Sequence, residues 1–76
     1  MIKKNYNFPI IIERDENGYF AVCPDLQGCY SQGDTYEEAL SNIENAIKIH
    51  VEDRLAEKEE FTEPLSVMFS TIQVAV

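Results

Sequence analysis

The stretch Val22-Cys23-Pro24-Asp25-Leu26-Gln27-Gly28-Cys29-Tyr30 decides how the rest of the chain is read. Two cysteines five residues apart flank a proline, an aspartate and a glycine. They are either ligands or redox partners, or they mark a turn between strands. A structural zinc site needs four ligands, usually as two close pairs. The chain has two cysteines and one histidine, His50, which falls near the apolar stripe of a predicted helix. A thiol redox pair is normally spaced C-x-x-C. The turn reading uses more of the residues. Pro24 ends a strand, Asp25 bonds its own backbone in an Asx-type turn, and Gly28 supplies an unusual backbone angle. The cysteines are then small core residues at two strand ends.

Outward from that turn, the pattern is that of a β meander. Tyr6 to Glu13 is aromatic and β-branched, with Tyr6, Phe8, Ile10 and Ile12 on one face and Ile11 on the other. Pro9 has no N–H for a ladder and belongs near the strand start. Arg14 to Gly18 is a turn, since Asn17-Gly18 favours a tight hairpin. Tyr19 to Cys23 is the second strand and Cys29 to Gln32 the third.

A helix begins at Asp34 or Thr35. Thr35 and Glu38 have capping-box spacing, and Glu37 and Glu38 suit the positive end of a helix dipole. Tyr36, Leu40, Ile43, Ile47 and Val51 recur at helical spacing, flanked by Ala39 and Ala46. The segment Glu59 to Pro64 stops the helix. Leu65 to Val76 is apolar on both alternating faces and is expected as a last strand. The order β-β-β-α-β predicts a single α+β domain over residues 1–76. A three-stranded antiparallel meander is joined by a last strand parallel to the first, with one helix on one face.

One helix covers only one face of such a sheet. Part of Ile11, Tyr19 or Phe20, Val22 or Cys23, and the last strand is left on the other. An apolar face of that size meets a partner. Ile49 lies on the helix away from its apolar stripe. Ile11, Ile49 and Phe69 are therefore the expected contacts of a homo-oligomer. A chain of 76 residues also buries only about 60% of its unfolded surface, so its own core is thin.

Six basic residues against fourteen acidic ones give a net charge of -8. Such a surface repels nucleic acid and anionic membranes and attracts basic partners. No stretch approaches the roughly 20 apolar residues of a membrane span. No signal-peptide pattern is visible either, so a soluble, cytoplasmic protein is expected. Asp15, Glu16, Asp25 and Asp34 are the carboxylates a metal-dependent nuclease would use, but turns and helix caps favour acids anyway. There is no Ser or Cys with a His–Asp partner and no glycine-rich phosphate loop. The expectation is no enzyme, no cofactor and no metal.

The run from Ile10 to Ile47 resembles the HicB-like family of antitoxins. The family pattern is an apolar strand, a D-x-x-G-Y/F hairpin, a P-D-L-x-G-C segment and a G-D-T-x-E-E-A helix start. Here these are Asp15 to Tyr19, Pro24 to Cys29, and Gly33 to Ala39, with Gln27 where a proline often stands. The resemblance implies a partial RNase H-like fold without a nuclease centre. It implies a type II toxin–antitoxin role, binding and neutralising a small basic HicA-like mRNA ribonuclease by occlusion. Many such antitoxins add a C-terminal DNA-binding domain, and this chain looks like the short, stand-alone form. Asp15, Glu16, Asp25 and Asp34 are the expected partner-binding residues, and no direct contact with nucleic acid is expected. The alternative is a self-assembling module with no toxin.

Overall fold

The computed structural model describes residues 5–57 and 66–76. Its elements are β1 (Ile11–Asp15), β2 (Gly18–Val22), β3 (Tyr30–Gly33) and α1 (Tyr36–Ala56). The three strands form one antiparallel sheet in the order β1-β2-β3. Two hydrogen-bonded turns set its register. At the first, the Asp15 carboxylate accepts the Asn17 N–H at 2.7 Å, so Ile11 faces Val22 and Arg14 faces Tyr19.

The second turn is the cysteine stretch. The Cys23 N–H donates to the Cys29 carbonyl at 3.0 Å, which closes the loop at its neck. Inside it, Leu26 donates to the Cys23 carbonyl and Cys29 donates to the Leu26 carbonyl, each at 3.1 Å. These bonds fold the loop back so that the Leu26 side chain plugs the core, 1% exposed. Gly28 sits at φ +77° with open space around it, so backbone conformation rather than room makes a glycine necessary there. Cys23 and Cys29 are free thiols buried beside Leu26. The structure bears out the turn and the need for Gly28, while the loop's hydrogen bonds are backbone bonds and the expected Asx-type bond of Asp25 is not among them.

Helix α1 starts where the capping residues place it. Thr35 is in extended conformation, and its Oγ1 accepts the Glu38 N–H at 3.1 Å. The helix packs against β3 and β2 and reaches β1 only slightly. Gly33 permits that approach, because a Cβ there would lie 2.5 Å from the Ala39 backbone nitrogen. Ala21, Cys23, Leu26, Cys29 and Ile43 form one buried cluster, with Phe8, Ile10, Ile12, Ala46 and Ile47 packed against it.

Several expectations need correction, including the second strand, which is Gly18–Val22 and not Tyr19 to Cys23. The first strand begins at Ile11, not Tyr6, and runs on to Asp15. Pro9 cannot donate to a ladder, and the five-residue β2 has no partner left for residues before Ile11. The third strand likewise starts one residue late, at Tyr30. The inward side of the helix is turned toward Ala39 and Ile43, while Tyr36 and Leu40 are exposed. The helix leans on β3, where small residues allow close contact and large ones do not fit.

The last strand, expected over residues 65–76, is not formed in the single chain. Residues 66–76 take no part in the sheet and every one is exposed. The reason is physical: a strand apolar on both faces needs cover on both, and one helix leaning on β3 gives little beside β1. Residue 65 and the helix-stopping segment Glu59 to Pro64 lie outside the described residues.

Candidate partner-binding surface

The strand directions place the charged residues. The β1–β2 turn and the end of β3 lie at one end of the sheet, and the cysteine loop lies at the other. Asp15 and Glu16 occupy the first turn, and Asp34 follows β3. Tyr19 pairs with Gly33, so Asp34 is carried next to that turn. The three acids line one open groove of about 410 Å³, together with Arg14 and Tyr19. A neighbouring groove of about 360 Å³ shares Asn17, Tyr19 and Asp34 and adds Glu38. Arg14 is drawn over the Tyr19 ring, 5.8 Å from its centroid. The acids thus share one end of the molecule with a single nearby guanidinium held against an aromatic face.

Asp25 does not join them. It sits in the cysteine loop, at the opposite end of the sheet. Glu38 does join them, although the sequence marks it only as a helix-cap residue. The signal lay in the same Gly33-to-Ala39 segment, because a cap residue one turn into α1 must stand over the end of β3.

The apolar residues separate by strand alternation. Ile11, Val22 and Tyr30 are successive cross-strand partners, and they form a row on the face turned away from the helix. Phe20 lies on the same face, between Glu13 and Gln32. Tyr30 is 73% exposed, and Val22 and Phe20 are about half as open. The open face therefore carries Phe20 and Val22, whereas Tyr19 and Cys23 point to the helix side. Ile11 and Phe69 come together in an apolar groove of about 490 Å³ with Pro9 and Pro24. Ile49 is far from both in character: it is 67% exposed on the outer side of α1. The structure thus unites two of the three expected oligomer contacts and leaves the third alone.

Burial raises both thiols above their ordinary value of 9.0. For Cys23 the loss of water dominates, opposed by hydrogen bonds from the Asp25 and Leu26 backbone. For Cys29 the loss of water again comes first, followed by the neighbouring Cys23. A protonated, buried thiol is a poor nucleophile and a poor metal ligand. Among the described residues, no three of His, Cys, Asp or Glu come together as a metal-binding group. None of the described helices is long and apolar enough to cross a membrane.

Comparison with known proteins adds an independent finding. A family described as a HicB-like antitoxin of bacterial toxin–antitoxin systems matches residues 8–73. A UPF0150 protein of Synechocystis sp. is 44% identical over 73 residues, covering 87% of this chain and 92% of the relative. A UPF0150 protein of Helicobacter pylori is 46% identical over 65 residues, covering 86% and 90%. The protein called Antitoxin HicB 2 of Photorhabdus laumondii is 37% identical over 46 residues, covering 60% of this chain but 33% of that longer protein.

Proposed function

The chain belongs to the HicB-like antitoxin family of bacterial toxin–antitoxin systems, and from that premise we propose how it does an antitoxin's work. It binds a small basic HicA-like ribonuclease and keeps mRNA away from it by covering its surface. The acidic end of the sheet makes the contact. Asp15, Glu16 and Asp34 receive lysine and arginine side chains of the toxin, with Glu38 extending the surface along α1. Asp25 lies at the far end of the sheet, outside this contact.

The observation that carries this reading is the gathering of Asp15, Glu16 and Asp34 in one groove of a chain with net charge -8. Each exposed acid adds little alone. A clustered field acts together, steering a basic partner and fixing its orientation. The mechanism needs no catalytic group, cofactor or metal. It operates in the cytoplasm, where mRNA is, and without direct contact between this domain and nucleic acid. On this reading the domain is part of an RNase H-like fold whose remaining strand, residues 66–76, forms only on association.

The test is titration of a purified HicA-like ribonuclease with the chain, read by RNA cleavage. Near-stoichiometric loss of cleavage is expected. The triple variant Asp15→Asn, Glu16→Gln, Asp34→Asn should slow association roughly 10- to 100-fold at low salt and little at high salt. Cleavage untouched by an excess of the chain would refute the proposal.

A second reading, a self-assembling module without a toxin, draws support from the open Ile11–Val22–Tyr30 row and the exposed apolar residues of 66–76. A stable oligomer that leaves the ribonuclease fully active would select it.

A further inference from the structure

The two edges of the sheet are not alike. On the β3 side the helix lies close, and Asn42 Nδ2 donates to the Gln32 carbonyl at 2.8 Å. The Ser31 hydroxyl is turned to the Ala39 carbonyl at 3.2 Å. That edge is tied to α1. The β1 edge has little of the helix beside it. An open edge is a template for another strand.

The same chain carries a spare segment of strand character. Residues 66–76, SVMFSTIQVAV, contain no ionisable side chain. Met68, Ile72 and Val74 are 90%, 85% and 72% exposed. Val67, Met68 and Phe69 lie with Ile11 in the groove beside β1, so the segment starts at that edge. At about 3.3 Å per residue its eleven residues span about 36 Å, against about 17 Å for β1. It overshoots the strand it starts beside. The molecule's longest dimension is 50 Å, while the 21-residue helix accounts for about 32 Å.

We infer that two copies of the chain exchange these segments: residues 66–76 of each copy add as a fourth strand to the β1 edge of the other. The occupant follows from charge. Two molecules of net charge -8 repel each other least where their surfaces carry no charge, and both the segment and the Pro9–Ile12 stretch are uncharged. A basic partner finds no acid there. Its matching acids stand at the Asp15 end of β1, about 13 Å away along the strand. Exchange uses each spare strand and each open edge once, so the contact is two-fold and closes on itself. It also extends the sheet beside the Ile11–Val22–Tyr30 row. The inference rests on reading residues 66–76 as the remaining strand and is independent of any toxin.

The experiment is analytical ultracentrifugation of the full chain from about 1 to 100 µM, beside Ile72→Asp/Val74→Asp and Ile49→Asp. Circular dichroism checks that each variant folds; all three positions are off the core. The expected result is a dimer that the paired tail substitutions weaken at least 100-fold and Ile49→Asp leaves unchanged. A nitroxide on Ser70→Cys then distinguishes exchange from other packing. In mixed dimers it should broaden the Ile11 and Ile12 amides of an unlabelled-thiol, ¹⁵N-enriched second copy. A monomer at all concentrations overturns the inference, as does a dimer indifferent to the tail substitutions. So does broadening confined to the labelled chain, or association that appears only on adding a basic ribonuclease.

Discussion

Both faces of this three-stranded sheet carry apolar residues, and those residues have opposite fates. On the helix side, Ala21, Cys23 and Ile12 meet Ile43, Ala46 and Ile47, and the cysteine loop adds Leu26 from below. On the other side, Phe20, Val22 and Tyr30 are exposed, Ile11 shares a groove with Phe69, and residues 66–76 stand exposed. The difference teaches that the fold is held from one side, and that the other side is left open. In a chain of this length the first side cannot be large, so each of its members carries weight.

The largest effect should therefore come from the loop that closes the covered side. Leu26→Ala removes the plug of the cysteine turn and should cost about 2–5 kcal/mol. Val22→Thr on the open face should change the stability of the dilute chain by less than about 0.5 kcal/mol. Urea denaturation of both at low concentration checks the contrast; equal losses would break it. Next comes Gly33→Ala. The new methyl meets the first turn of α1 in backbone contact, and about 1–3 kcal/mol should be lost. Thermal unfolding reads it.

Smaller still is the helix cap. Thr35→Ala leaves the Glu38 N–H without its acceptor and should cost about 1 kcal/mol, with Thr35→Ser recovering most of it. The smallest effect near neutrality concerns the thiols. Their folded pKa values are raised, so the unfolded chain loses its thiol protons first. The stabilisation is complete below pH 9.0 and is lost as pH rises through the folded values. Stability should be flat in this respect from pH 6 to 8 and fall above 9, and Cys23→Ala with Cys29→Ala should abolish that thiol-linked part of the slope. A wild-type slope above pH 9 that the double substitution leaves unchanged would mean that burial does not raise the thiols.

This contrast also shows which parts could be read in the sequence. Local chemistry was legible. Pro24 and Gly28 gave the turn, Asn17-Gly18 the hairpin, and Thr35 the helix start, because each acts within a few residues of itself. What depended on neighbours was not. The start of β1 depended on where β2 ends. The tilt of α1 toward β3 moved Tyr36 and Leu40 out and Ala39 in, which spacing alone cannot show. Of the four acids singled out, three gather because Tyr19 pairs with Gly33, and no periodicity reveals that pairing. Asp25 stood apart for the same reason, and Glu38 was masked by its plain role at the cap. Residues 66–76 had the composition of a strand, but a strand also needs an edge to join, and the single chain leaves the segment outside the sheet.

The central claim is that one face of the sheet builds the fold while the other, with residues 66–76, is left for partners. Amide hydrogen exchange of the dilute, monomeric chain tests it most directly. The account predicts the slowest exchange at Cys23, Leu26 and Cys29 and in the middle of α1 around Ile43, with amides of residues 66–76 exchanging close to the rate of an unstructured peptide. If those last amides are as protected as Cys23 in the monomer, the segment folds onto its own sheet, and the account is wrong.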